Sequence, residues 1–433
     1  MSTLPAVAIV GRVNVGKSTL FNRIAGGRIA IVDDQPGVTR DRKMSQANWA
    51  GYEFLVIDTG GLEPGSEDAF QESIEKQIAI ALGEADAVIL VVDVSAGIHP
   101  FDREAAEMVR KAGLPSFLAV NKVDSDRSMK MVPEFYELGL GRPWPVSAMH
   151  GHGSGDLLDQ VVAVLPEAVP DEWSGLSMAV VGRPNVGKSS IVNRLCRSER
   201  NIVTDVPGTT RDSTDILVSW HDSQVRIVDT AGLRRRSRKM DDVEFYSTVR
   251  AWKSMSRADV ALVVMDGSEY PVQQDIRIAA RAWEMGKGVV IGVNKLDLGI
   301  DKKLWIDSII QRFNQARNIP ILFFSALTGE GIGRIIPAIL GVGELRASQL
   351  STHQVNKVLQ RAVEEVQPPS PRGKPLKFYY ATQVSHHPPR LLIFVNRPEE
   401  IPENYRRYVE NRLREVLGLK GVPLGIVYRK RKH

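Results

Sequence analysis

The sequence predicts an α/β protein of two tandem domains, each a mostly parallel sheet with helices on both faces, followed by a small α+β domain. Three observations predict it: a domain-length internal repeat, alternating strand and helix patterns within each copy, and a change of pattern and charge after the second copy. The repeat comes first because self-similarity fixes the organisation before any element is assigned. Ala8-Ile-Val-Gly-Arg-Val-Asn-Val-Gly-Lys-Ser18 returns as Ala179-Val-Val-Gly-Arg-Pro-Asn-Val-Gly-Lys-Ser189, 171 residues later. Pro36-Gly-Val-Thr-Arg-Asp41 returns as Pro207-Gly-Thr-Thr-Arg-Asp212, and Asp58-Thr-Gly-Gly-Leu62 as Asp229-Thr-Ala-Gly-Leu233, with the same offset. Asn121-Lys-Val-Asp124 and Asn294-Lys-Leu-Asp297 lie 173 apart, so a loop between them changed length.

Within copy one, Val7–Val10, Phe54–Ile57, Ala87–Val92 and Ser116–Val120 are apolar, β-branched runs ending at polar loops. Helical spacing covers Lys17–Ile24, Asp68–Leu82 and Asp102–Lys111. Such alternation predicts parallel strands buried on both faces, with ligands at their carboxyl ends. The segment Pro166-Glu-Ala-Val-Pro-Asp-Glu-Trp-Ser-Gly175, with two prolines and three acids, reads as a linker. The expected domains are residues 1–165, 177–344 and 345–433, with 166–176 between the first two. The last domain has the element order αββαβ: a helix over 348–366, two strands around Pro388-Pro389, a helix over 401–417 and a strand over 425–428.

Of 433 residues, 43% are hydrophobic and 25% charged, an ordinary globular composition. No apolar run approaches the roughly 20 residues of a membrane span, and no secretory leader is visible. The single cysteine, Cys196, can form neither an internal disulfide nor a zinc site alone. A monomeric cytoplasmic protein is expected. Net charge is +5, unevenly placed: residues 345–433 carry 17 Lys/Arg against 7 Asp/Glu, and the first 344 carry 39 against 44. A basic last domain points to a polyanionic partner.

The chemistry begins at Gly11, Asn14, Val15, Gly16, Lys17, Ser18 and Thr19, matched by Gly182, Asn185, Val186, Gly187, Lys188, Ser189 and Ser190. Both fit the phosphate-loop pattern, in which glycines let backbone N–H groups curl around phosphates at a helix N-terminus. Lys17 and Lys188 are expected at the β- and γ-phosphates, and the hydroxyls of Ser18 and Ser189 on magnesium. Asn-Lys-x-Asp then selects the base. Asp124 and Asp297 can accept from guanine N1–H and its 2-amino group, whereas adenine would leave the carboxylate unpaired at a free-energy cost. Asn121 and Asn294 are expected at the other base edge, Lys122 and Lys295 along the ring. Ser147-Ala148 and Ser325-Ala326 follow apolar strands and are expected to supply the backbone donor for guanine O6. Thr39 and Thr210 stand in glycine-containing loops suited to gripping magnesium and γ-phosphate. Asp58 and Asp229 end a strand where they can hold magnesium, and Gly61 and Gly232 offer N–H groups to the γ-phosphate. Release of these loops on loss of that phosphate is the physical basis of a switch.

These residues in this order resemble the Era-type GTPases, and the two copies with a small basic domain resemble its double-Era-like family over essentially the whole chain. The resemblance implies GTP hydrolysis, nucleotide-dependent binding to the large ribosomal subunit and its rRNA, help in its assembly, and a K-homology-like last domain. Leu62 and Leu233 occupy the position of the water-orienting glutamine of Ras-like proteins. The resemblance implies a potassium ion in compensation, with Asn14 and Asn185 matching its side-chain ligand. The copies diverge after this point: Arg234-Arg-Arg-Ser-Arg-Lys239 stands against Glu63-Pro-Gly-Ser-Glu-Asp68, so copy two's switch is expected to meet RNA more directly. The alternative is an RNA-binding scaffold that senses GTP with little turnover at one site.

K-homology domains clamp nucleic acid with a G-x-x-G loop between helices. Gly418-Leu-Lys-Gly421 has the letters but lies between a helix and the last strand, so a helix cap and turn are expected. RNA contact is expected from Arg406, Arg407, Arg412, Arg414 and Arg429-Lys-Arg-Lys432. Tyr379, Tyr380 and Phe394 can stack on bases, although alternate strand positions usually face a core.

Overall fold

The computed structural model describes residues 4–26, 44–59, 78–79, 81–83, 85–166, 173–197, 203–204, 215–230, 251–370 and 373–431. The chain packs as two compact units, one holding the first sheet and the other the second sheet with the C-terminal domain. Among the described residues no helix is long and apolar enough to cross a membrane.

In the first unit, β1 (Ala6–Val10), β2 (Met44–Trp49), β3 (Tyr52–Asp58), β4 (Ala87–Asp93), β5 (Ser116–Asn121) and β6 (Pro143–Pro145) form one sheet in the order β2-β3-β1-β4-β5-β6. Every neighbouring pair is parallel except β2–β3. Odd and even side chains of one strand enter different cores. Val7, Ile9, Ile89 and Val91 pack with α1 (Lys17–Ala25) and α3 (Ser154–Val164). Ala8, Val10, Val88, Leu90 and Val92 pack with α2 (Pro100–Ala112) on the opposite face. Burial on both sides is why these strands read as unbroken apolar runs and not as alternation. Most of the expected helix over Asp68–Leu82 lies outside the described residues.

The second sheet contains β7 (Leu176–Val181), β8 (Val203–Thr204), β9 (Ile216–Trp220), β10 (Ser223–Ile227), β11 (Val260–Asp266), β12 (Gly288–Asn294) and β13 (Ile321–Phe323), ordered β13-β12-β11-β7-β10-β9-β8. Its helices are α4 (Lys188–Arg197), α5 (Gln273–Glu284), α6 (Lys302–Arg312) and α7 (Ile335–Arg346). Cys196 lies on α4 and packs, half-buried, against the core. In both sheets β1 or β7 is flanked by parallel strands reached through crossovers on opposite sides, so the loops leaving the central strand open into a crevice.

The C-terminal domain keeps the order αββαβ, with α8 (Thr352–Glu365), β14 (Phe378–His386), β15 (Pro389–Val395), α9 (Glu403–Val416) and β16 (Gly425–Lys430). Leu391, Ile393 and Val395 face α8 and α9, and their core is continuous with that of the second sheet. Gly418 and Gly421 do form the expected cap and turn, with φ of 68° and 75°. The turn is also a dock: Gly421 N–H donates to Asn318 O at 2.6 Å, and its carbonyl accepts from Val289 N–H at 2.7 Å. One expected surface charge is overturned here. Arg414 is only 4% exposed, because its guanidinium pairs with Glu410 and lies 5.1 Å over the Trp283 ring of α5.

A Cβ at Gly421 would stand 2.8 Å from Val289 O, whereas one at Gly418 would meet nothing within 4 Å. Gly418→Ala should therefore cost about 1–2 kcal/mol, the left-handed backbone penalty alone. Gly421→Ala adds a clash with backbone and should cost roughly twice as much. Thermal unfolding of the two variants checks the ranking, and equal losses would contradict it.

Candidate nucleotide sites

Both sites form where the carboxyl ends of the parallel strands stop being apolar. The loop after β1 turns into α1 through Gly16, whose φ is 96°, and α1 begins with no side chain capping its first N–H groups. Those donors are free to face an anion. A Cβ at Gly16 would lie 2.2 Å from the Asn121 amide nitrogen, and at Gly187 2.3 Å from that of Asn294, so only glycine lets this amide pass.

That amide does something the sequence reading did not anticipate. Asn121 is 3% exposed; its Nδ2 donates to Val15 O at 2.7 Å and its Oδ1 accepts from Ala148 N–H at 2.9 Å. Asn294 repeats this with Val186 O at 2.9 Å and Ala326 N–H at 2.8 Å. In both copies the asparagine braces loop to loop, with the Ala148 or Ala326 N–H donating to it. The physical reason is burial: a buried amide must satisfy its own hydrogen bonds, and the nearest partners are those loops. Ser147 and Ser325 are buried beside them; the Ser147 hydroxyl accepts from His150 N–H and that of Ser325 from Thr328 N–H. Ser325 also donates to Asp297. The Asp124 and Asp297 carboxylates are exposed at the mouth of each site, where a base edge can reach them.

Lys122 and Lys295 take left-handed backbone, both with φ of 67°, and their ammonium groups pair with Asp93 and Asp266. Burial pushes the Asp93 carboxyl up, but Lys122 and the Ser95 N–H outweigh it and hold it below the usual carboxylate range. Asp266 behaves alike, with Lys295 and Ser268 as partners. A second pair of supports lies under the phosphate loops. Arg12 faces the fully buried Asp102 at 3.5 Å, and Arg183 bonds Asp275 at 2.7 Å. Burial holds both of these carboxyls above their ordinary value. Asp93, Asp266, Arg12, Asp102, Arg183 and Asp275 were not given a role from the sequence. The signal was there, since Asp93/Asp266 and Asp102/Asp275 repeat with the 173 offset and Arg12/Arg183 with 171.

At the phosphate end, Lys17 Nζ donates to Arg12 O at 2.7 Å, and Lys188 Nζ to Gly182 O at 2.8 Å and to Arg183 O. Burial lowers the Lys17 ammonium, with Asp58 opposing and Arg12 adding to the effect; burial alone pulls Lys188 down to about 8. An incoming phosphate would replace weak carbonyl partners with full negative charge, which raises such a lysine again. Ser18 Oγ donates to the Asp58 carboxylate at 2.9 Å, bringing two hard oxygen donors together. In copy two the corresponding Asp229 has φ of 55° and accepts from Ser254 Oγ at 2.8 Å. Asn14 and Asn185, at φ of 65° and 64°, crown the two loops with exposed side chains. Thr39, Gly61, Leu62, Thr210, Gly232, Leu233 and the Arg234–Lys239 cluster lie outside the described residues.

Asn121→Asp keeps the acceptor for Ala148 N–H but sets a carboxylate against Val15 O. The lost donor and added repulsion should cost the first unit about 1–3 kcal/mol, read from its unfolding transition. Retention of wild-type stability would show that the bridge is dispensable.

A family model described as 50S ribosome-binding GTPase matches residues 6–122 and 177–295. Another, described as the C-terminal KH-domain-like region of EngA bacterial GTPase enzymes, matches 349–429. GTPase Der of Moorella thermoacetica is 46% identical over 432 residues, covering 98% of each chain. GTPase Der of Gemmatimonas aurantiaca is 43% identical over 434 residues, covering 99% of each. With the same family matched from end to end, in both repeated sheets and in the αββαβ tail, the chain belongs to the Der family of GTPases.

Proposed function

We propose that the chain hydrolyses GTP at two magnesium-dependent sites, in residues 1–165 and 177–344 joined by 166–176, and uses the nucleotide state to control binding to the large ribosomal subunit. In this reading it acts as a cytoplasmic monomer that assists assembly of that subunit. Residues 345–433 are its main rRNA-contacting part. The observation that carries the hydrolytic reading is the pair of buried asparagine bridges, which join the phosphate loop to the base loop identically in both copies. A ribosomal partner is supported by the match of both copies to the family model of 50S ribosome-binding GTPases.

The roles follow from donor chemistry. The backbone N–H groups of Asn14–Thr19 and Asn185–Ser190 hold the phosphates, and Lys17 and Lys188 bind the β- and γ-oxygens. Asp124 and Asp297 take guanine N1–H and the 2-amino group, while amides of the Ser147-Ala148 and Ser325-Ala326 loops lie near O6. Ser18 and Asp58, already 2.9 Å apart, suit a hard dication together with Thr39; Ser189, Thr210 and Asp229 form the second set. Bound magnesium supplies positive charge across the β- and γ-phosphates. Gly61 and Gly232 give N–H groups to the γ-phosphate and so report its loss. The exposed amide carbonyls of Asn14 and Asn185 suit a potassium ion, whose charge replaces what Leu62 and Leu233 cannot offer.

Three measurements test this. Single-turnover hydrolysis by Lys17→Ala and by Lys188→Ala should each retain one active site and lose the other. A variant that keeps full wild-type turnover would mark the substituted site as a sensor only. Replacing potassium by sodium at equal ionic strength should lower turnover severalfold, and equal rates would remove potassium from the mechanism. Sedimentation with large subunits should differ between a GTP analogue and GDP; identical binding would sink the switch.

A further inference from the structure

We propose that the open face of the C-terminal sheet is a stacking platform for single-stranded RNA, centred on Tyr380 and Phe394 with Arg429 beside them. The proposal rests on the reading of this domain as the rRNA-contacting part, and names which surface does it and which form of RNA it takes.

The sheet has one covered and one open face. Ala381, Leu391, Ile393 and Val395 point into the core made with α8 and α9. The residues between them point the other way, and the strand register lines them up: Tyr380 pairs with Phe394, and Phe394 with Arg429. The next row is Thr382, Leu392 and Val427. The Tyr380 and Phe394 rings stack at 4.5 Å between centroids and 20° between planes, and Tyr380 is 43% exposed. An irregularity in β14 between Phe378 and Tyr380 breaks the alternation there. Phe378 packs on Tyr405 and Tyr428 inside, while Tyr379, 36% exposed, carries the Arg431 guanidinium 5.2 Å above its ring.

A stacked aromatic pair with Tyr380 exposed and Phe394 half-buried, flanked by arginines, is poorly explained by folding alone. Bases have π-faces that add to such a stack irrespective of sequence, and the phosphates between them need cations within a few ångströms. The cations are in place. Arg429 and Arg431 are exposed, and the stem of exposed Arg390 crosses Gly425. By contrast Arg397, Arg407, Arg412 and Arg414 are tied to Glu400, Glu403, Glu365 and Glu410. Two other surfaces that could read RNA are consumed by the fold. The free edge of β14 is closed at Ala381, whose N–H and carbonyl both bond the Asn356 side chain. The G-x-x-G turn is bonded to Val289 and Asn318. Duplex RNA hides its base faces within the helix, so single strands, loops or ends fit the platform.

The experiment uses the full chain and fluorescently labelled oligoribonucleotides of about ten residues, single-stranded or annealed to a complement, followed by anisotropy. Wild-type protein should prefer the single strand. Tyr380→Ala with Phe394→Ala should weaken that binding about tenfold or more, while Tyr380→Phe should retain it, as expected for stacking. Arg429→Gln should flatten the dependence of log K on log salt by about 0.7, one phosphate's share for a single strand. Thermal unfolding of each variant checks the fold; if the double variant melts early, exposed Tyr380→Gln alone takes its place. Equal affinity for duplex and single strand, or no loss in the stacking variants, would overturn the platform. If wild type binds no oligonucleotide yet sediments with large subunits, the platform is wrong and the ribosomal reading stands. If those subunits are then lost on Tyr380→Gln, the face docks protein instead. Failure of both binding tests would sink the two together.

Discussion

The buried amide of Asn121, repeated at Asn294, is the interaction on which each site depends. It joins loops from three strand ends: Val15 after β1, its own position at the end of β5, and Ala148 after β6. Each of the two hydrogen bonds contributes about 1 kcal/mol net, but an orphaned buried partner costs about 1–3 kcal/mol, so the three loops keep one arrangement or lose it together. The rest follows from that rigidity. Gly16 must be glycine because the amide runs through the space a Cβ would fill. The first turn of α1 then presents its N–H groups at a fixed distance from Asp124. The loop after β1 and the Asn-Lys-x-Asp loop are thereby built as one body, so under the proposed function a nucleotide would meet both ends already placed.

Around that shared frame the two copies have separated. Behind Asp229 lies a polar network: its N–H donates to Asp215, which pairs with Arg257 and lies 3.9 Å from Arg226, while Ser254 donates to the Asp229 carboxylate. At the matching offsets copy one has Met44 for Asp215, Leu55 for Arg226 and Ala81 for Ser254. Burying two arginines is costly unless they stay paired. Copy two therefore ties the position of Asp229 to a set of partners that must move with it or be left unpaired. Copy one pairs Asp58 directly with Ser18. The two aspartates are thus held by different sets of partners.

Much of this was legible in the sequence because the repeat made chance matches visible. Strand ends at Val10, Asp58 and Asn121 fell where apolar runs met polar motifs, and the αββαβ order of the tail was readable from spacing. What was missed has two causes. The bracing of Val15 by Asn121 and the supports Asp102 and Asp275 depend on contacts 90 or more residues apart, which no local pattern encodes. The outward turn of Tyr379 and Tyr380 depends on a strand irregularity, which shifts the inside–outside period by one residue and leaves no composition signal. Arg414 was misplaced for a related reason. A helical face rich in arginine reads as solvated until a neighbouring Trp283 is found beneath it.

That last case sharpens how charge should be read in such a domain. The excess of ten positive charges in residues 345–433 is a property of the composition, but a phosphate responds to cations that are unpaired and on one face. Glutamates at 365, 400, 403 and 410 tie the arginines of α9 and its entry, and the fold uses their stems to cover apolar surface. Among the described residues Arg429 at the end of β16 has no such ion pair, and the register sets it beside Phe394. A modest subset of the basic residues therefore defines the surface a polyanion meets. Its position, on the sheet face turned away from the core shared with the second G domain, lets nucleic acid be held without competing with the packing that joins the two.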